Sequence, residues 1–288
     1  MDILKNKFIL AFLFLLIGSS IIVSAQITTI QTQVLDLAER ARDYFIEATK
    51  GNIVGQTTGN VFGHNLALGA STEDIQGQGG ILIFLETTEL ITIVSDNTND
   101  DLIGTNANSV LVEGLDVNFD EISEIVNLSG ITSVNTTNGF IRVNKLIINE
   151  VGNYTVSNAG TITATAATSG SLQLQIDPSQ GQSQSTHYTI PAGQNLIITH
   201  LSGSIQTGKT VLLEINSRAN ADDITPPVAP IRVIKVLHGL NSVFGDRSFG
   251  NLKFDEKTDL WLSGRTTAGG AGAIIEVNYD FIQYAIGS

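Results

Sequence analysis

The chain has no cysteine, one methionine and one tryptophan, and only 15% of its 288 residues are charged, against about 25% in an ordinary globular protein. Without cysteine there can be no disulfide scaffold, thiolate metal site or cysteine nucleophile. Positive charge is scarce as well: Lys+Arg 15 against Asp+Glu 28 gives a net charge of -13. Such a chain has little with which to displace phosphate counterions, so nucleic acid is excluded as a partner. The apolar fraction of 42% is ample for a core and argues against disorder. What is abundant is Gly, Thr, Ser and Asn, the residues of strands and turns rather than of surface helices. At this length one large domain or two ordinary ones can be built.

One long apolar run occurs, Phe8 to Ala25, preceded by Lys5 and Lys7. It has two readings. Residues 1–25 form a secretory signal ending at Val23-Ser24-Ala25, or they stay as a membrane anchor through residues 8–25. In both, the lysines stay inside and everything after residue 25 is exported. Residues 26–50 follow as an amphipathic helix. Ile27, Ile30, Val34, Leu37, Ala41, Tyr44 and Ala48 recur at alternating spacings of three and four, the pattern of a coiled-coil seam. The spacing predicts an oligomerising stalk, with a trimer as one option; an amphipathic helix packed on its own β-body is the other reading. Gly51 supplies a stop signal.

Residues 51–80 are glycine-rich and weakly periodic, and read as an extended connector. Beyond them short β-patterns recur: Ile81–Leu85, Leu90–Ser95, Ser109–Val112, Glu124–Leu128, Phe140–Ile148 and Gly160–Thr165, then Leu172–Ile176, His187–Ile190, Asn195–Leu201, Thr210–Ser217, Ile231–Leu237, Asp259–Ser263 and Ile274–Tyr284. Asn138-Gly139 reads as a hairpin turn, and no segment after Lys50 reads as a long helix. The expected fold is mainly β: two antiparallel β-sandwich or jelly-roll domains, 81–168 and 169–288, divided at the small-residue stretch 166–171 and preceded by the N-terminal helices.

Several segments together resemble a known family. They are DIQGQGG (Asp74–Gly80), LITIVS (Leu90–Ser95), LVEGLDVNFDEISEIVNLSG (Leu111–Gly130), FIRV (Phe140–Val143), Gly160–Thr163, YTIPAG (Tyr188–Gly193) and FDEKTDL (Phe254–Leu260). The chain resembles mostly uncharacterised virion-associated proteins of marine tailed phages and some large DNA viruses, with the Gly114–Gly130 block as the most specific part. The resemblance implies a β-rich structural component of a head, tail or fibre and carries no catalytic residues. The front departs from it: Phe8 to Ala48 points to a membrane-associated virus or an exported cellular protein.

Chemistry-bearing motifs are few. His64, His187, His200 and His238 lack a second ligand at metal spacing, no G-x-S-x-G elbow occurs, and the glycine clusters at 77–80 and 269–272 lack the Lys-Ser/Thr of a phosphate loop. Asp96, Thr98, Asp100 and Asp101 place oxygens as a calcium loop does, without the central glycine and the distant Glu; a solvated hairpin loop is the other reading. Asn127, Asn135 and Asn153 open glycosylation sequons. Phe244, Phe249, Phe254, Trp261, Tyr279, Phe281 and Tyr284 gather near the C-terminus, as a core or as a binding surface. No cofactor and no enzymatic activity are expected. The function expected is that of a virion structural or surface protein acting through assembly interfaces with itself and with other virion or surface proteins, located on a virion surface or as an anchored or extracellular protein. The alternative is an exported pilin-like filament or adhesion subunit.

Overall fold

The computed structural model describes residues 44–246 and 252–287. The chain divides into two units at Val54 and Gly55. In the first, α1 (Tyr44–Thr49) ends where Gly51 takes a positive φ of 74°. Its N–H bonds the Ala48 carbonyl, and that of Asn52 bonds the Glu47 carbonyl. These two bonds are a Schellman cap, so Gly51 is the stop its position suggested. Of the expected seam, Ile27, Ile30, Val34, Leu37 and Ala41 lie outside the described residues; within α1, Tyr44 is exposed and Ala48 buried. Among the described residues no helix is long and apolar enough to cross a membrane.

The second unit is antiparallel β throughout. Its strands are β1 (Gln56–Leu68), β2 (Glu73–Asp74), β3 (Glu89–Ser95), β4 (Ala107–Leu115), β5 (Glu121–Asn127), β6 (Val134–Phe140), β7 (Arg142–Val151), β8 (Ile162–Ala166), β9 (Leu172–Ile176), β10 (Tyr188–Thr189), β11 (Gln194–Ile205), β12 (Thr210–Arg218), β13 (Arg232–Leu240), β14 (Phe244–Asp246), β15 (Leu252–Phe254), β16 (Asp259–Ala268) and β17 (Ala273–Ala285). They form four sheets. Two have the orders β6-β3-β8-β9 and β5-β4-β7, and supply most of one buried cluster that includes Ile91, Val112, Phe140, Leu146 and Leu174. The other two are β1-β17-β11-β14, with β15 also on β11, and β10-β16-β12-β13, with β2 also on β16. These surround a second cluster that includes Ile75, Ile198, Leu213, Leu262 and Tyr279.

Period-two burial accounts for the regular strands. In β17, Ala273, Ile275, Val277, Tyr279 and Phe281 are buried while Ile274 and Glu276 are exposed, the alternation of a half-buried strand. β16 differs, being buried continuously from Asp259 to Gly264. Its Leu260 and Leu262 enter the second cluster, and its intervening residues are covered from the other face.

Five expectations are corrected. The connector at 51–80 instead contains β1, which pairs with β17 from Gln56↔Tyr284 to Leu68↔Ala273. Its glycines are packing devices and not turns. A Cβ at Gly59 would overlap the Phe281 ring, and one at Gly63 would lie 2.6 Å from Thr186 N and 2.7 Å from Ile75 O, the close approaches for which strands keep glycine. Ile81–Leu85 forms no strand, because side chains replace its ladder: Asp74 accepts from Leu82 N, Gln173 donates to Ile83 O and Arg142 donates to Leu85 O. Asn138-Gly139 lies inside β6, and the expected strand 140–148 breaks at Ile141, where the chain passes from the sheet of β3 to that of β4. The stretch 166–171 is the turn between paired β8 and β9, closed by Ala166 N to Ser171 O, so residues 172–176 belong with the first series of strands.

Gly59→Ala is expected to destabilise the protein by about 1–3 kcal/mol, the usual cost of overpacking. Phe281→Leu should restore part of the loss in the double variant, measured by urea unfolding; equal losses with and without Phe281 would refute this account.

Candidate functional site

Several of the segments that carry the sequence resemblance meet in space. Arg142 of FIRV and Asp259 of FDEKTDL form a two-pronged ion pair: Nε donates to Oδ1 at 2.8 Å and a terminal nitrogen to Oδ2 at 3.0 Å. The side chains are 2% and 0% exposed. Arg142 opens β7 and Asp259 opens β16, so the pair ties strands lining the two hydrophobic clusters. The other terminal nitrogen of Arg142 donates to the Leu85 and Ile141 carbonyls. Thr189 of YTIPAG donates its hydroxyl to Asp259, and its backbone is held at both N and O by the Asn144 amide, two residues along β7 from Arg142. Phe84 and Phe119 lie over the guanidinium, at 5.0 and 5.5 Å, close enough for cation–π attraction.

His187 extends this network. Because the Thr189 proton points to Asp259, the His187 Nε2 that lies 3.1 Å from Thr189 Oγ1 must carry the proton. Nδ1 is then bare, and among the described residues it is buried without a partner. Burial lowers the His187 pKa from 6.5 to about 4; Arg142 adds to the shift and Asp259 opposes it. On the neighbouring β2, Asp74 moves the opposite way. Burial raises its carboxyl from 3.8 to about 6, against the Leu82 N–H and the Trp261 side chain, which lower it.

The Gly114–Gly130 block also has a packing explanation. A Cβ at Gly114 would overlap Arg142 O and press on the Phe140 ring. Past β4, Asp116 Oδ1 accepts from Asn118 N and Asp120 N, and Phe119, with a positive φ of 67°, turns its ring into the first cluster. Phe119 O accepts from Ala192 N of the YTIPAG turn.

Beside this junction a cleft of about 410 Å³ opens between β1 and the strands β4, β5 and β7. A second hollow of about 400 Å³ continues from it, sharing Glu121, Tyr188 and Phe281. Glu113 is in register with both Ser123 and Lys145, which puts the three on one face. Tyr188 donates to Gln283 at 2.8 Å. Burial foremost, then Glu121 and Glu113, push its phenol well above its ordinary pKa.

In the loop of Asp96, Thr98, Asp100 and Asp101 the carboxylates are engaged by the chain itself. Asp100 is fully buried and accepts from Ser95 Oγ, Ala107 N, Ala159 N and Gly160 N. Four donors already surround its oxygens, and a cation there would face their hydrogens. Asp96 accepts from Thr161 N, Asp101 from Ile103 N, and Thr98 is exposed. Among the described residues no three His, Asp or Glu side chains are grouped to hold a metal. Of the C-terminal aromatics, Phe254, Trp261, Tyr279 and Phe281 are buried, while Phe249 lies outside the described residues. His64, on β1, meets Asp177 at 2.9 Å. The Arg142–Asp259 junction was missed from sequence, although an isolated charge within an apolar strand, as in FIRV and TDLWL, is its signal.

Arg142→Met should cost about 3–5 kcal/mol, since it strands a buried carboxylate, and Arg142→Met combined with Asp259→Leu should regain most of it; denaturant unfolding of both variants is the check. The two shifted groups act oppositely with pH. His187 has a depressed folded pKa, so its contribution is complete above about 6.5 and is lost as pH falls toward about 4. Asp74 has a raised folded pKa, so its contribution is complete below about 3.8 and is lost as pH rises toward about 6. Relative to the native chain, His187→Gln should therefore gain stability between pH 6.5 and 4 and Asp74→Asn should lose it. Melting temperatures across that window test both signs.

No family model matches the chain, and no curated protein matches it. Among solved structures it is similar to the infectious bursal disease virus Gt strain structure, at 12% identity over 84% of this chain and 82% of that one, with a TM-score of 0.20. It is similar also to T=1 particles derived from infectious bursal virus, at 12% identity over 80% and 74% with a TM-score of 0.21, and to the Gx strain structure, at 10% over 85% and 83%, again 0.21. Likeness at that level carries no argument about this chain.

Proposed function

We propose that the chain is a structural subunit of a virion surface that works by packing against further copies of itself, with β13 as the contact. The observation that carries this reading is the state of that strand. Among the described residues β13 pairs with β12 alone, and no strand of theirs takes its other edge. Ile231, just before it, and Val233, Ile234 and Val236 within it are 61%, 51%, 36% and 38% exposed. A long open edge with β-branched side chains in water is a template for strand pairing or apolar packing with another chain.

Charge selects the occupant. Apart from Lys235, which is engaged within the chain, β13 carries Arg232 and His238 and no acid, within a chain of net charge -13. Two β13 edges side by side would bring like charges together, whereas β13 against an acidic face of another copy brings opposite ones. Such a contact is heterologous and builds rings or extended arrays, which suits a particle surface. The resemblance of the sequence to virion-associated proteins supports the same reading.

Sedimentation velocity of the purified chain should show concentration-dependent oligomers. Ile234→Glu with Val236→Glu should leave monomers with unchanged melting. A chain that stays monomeric at all concentrations, or oligomers unaffected by the substitutions, would overturn the reading.

A further inference from the structure

The polar groups of the cleft differ in how they are engaged. Some are satisfied within the protein: Asn60 donates to Asp280, Asn144 holds the Thr189 backbone and Tyr188 donates to Gln283. Others, Glu113, Glu121, Ser123, Lys145 and Gln182, line the same cleft, and among the described residues their side chains make no hydrogen bond or ion pair. That contrasts with other carboxylates of the body. Glu89 binds Thr168 N and Ser169 N, Glu124 binds Thr137 and Asn138, and Glu256 binds Gly193 N. A concavity of this volume with a few convergent polar groups left open is the ordinary form of a small-ligand site.

The groups define the ligand. Two carboxylates accept, an ammonium donates, an amide and a hydroxyl do both, and Val61, Phe62, Ile122 and Tyr188 supply apolar surface. An anion would be repelled by the two glutamates, and a cation would meet Lys145 beside Glu113. A neutral molecule dense in hydroxyls, with C–H faces between them, satisfies every group. The hollow continuing past Glu121, Tyr188 and Phe281 calls for several such units in a row.

We propose that this cleft binds a neutral oligosaccharide. Glu113 and Glu121 accept hydrogen bonds from sugar hydroxyls, Lys145 and Gln182 donate to them, and Tyr188 and Phe62 meet the C–H faces. The proposal stands apart from self-assembly: it involves no residue of β13, and failure of either leaves the other intact.

The test titrates the full chain with neutral linear tetrasaccharides of glucose, of galactose and of N-acetylglucosamine, followed by saturation-transfer NMR and calorimetry. At least one should bind saturably. Glu113→Gln and Glu121→Gln should each weaken it about tenfold, the effect of losing one charged hydrogen bond, with unchanged melting, and Val236→Glu should leave it as it was. Failure of all three sugars to bind, or binding that both glutamate variants retain in full, overturns the proposal. So does binding of tetralysine in place of the sugars, which would make this a site for basic peptides.

Discussion

A guanidinium and a carboxylate held together without water constrain everything around them. Removing two such charges from solvent costs several kcal/mol each, recovered only when the geometry is good and the remaining donors and acceptors are filled. Arg142 and Asp259 meet those terms with Leu85 O, Ile141 O and the Thr189 hydroxyl. The chain must therefore pass Leu85 near β7 without forming a strand, switch sheets at Ile141, and bring β10 beside β7 through Asn144. The cleft owes its position to the same set of bonds, since Asn144 and Tyr188 lie in its lining and flank the junction in sequence.

The shortage of lysine and arginine shapes the rest of the polar chemistry. Many carboxylates in this body fasten loops by accepting backbone N–H groups: Asp100 draws 107, 159 and 160 together, Asp116 shapes the β4–β5 turn and Glu89 holds the β8–β9 turn. An acidic residue in a loop of this protein is thus commonly a staple. This explains why the oxygen spacing at 96–101 resembles a cation loop while its central carboxylate faces inward.

What was legible in the sequence was local. The alternation in β17, the apolar runs of β4 and β12 and the cap at Gly51 follow from neighbouring residues, and each appears close to where its pattern lies. What was not legible depends on partners far along the chain. Gly59 and Gly63 look like breakers until Phe281 and Thr186 lie against them; Asn138-Gly139 looks like a turn until β3 pairs with it; and Arg142 looks out of place until Asp259 arrives from 117 positions away. The open polar groups of the cleft belong to this second kind, since β1 and β5 meet only in the folded body.

The pairing of β1 with β17 sets an order of events. Apart from Ala221, the buried residues of the first cluster lie between Leu85 and Ile176, so a growing chain can collapse that region long before synthesis ends. The second cluster reaches from Leu68 to Phe281, and among the described residues β1 pairs with β17 alone. Until the last strand is made, β1 has no ladder to join, and an edge rich in Thr, Asn and Gly must wait in solvent. The glycines and polar residues that obscured this strand in the sequence thus also keep its solitary form from adhering to other chains.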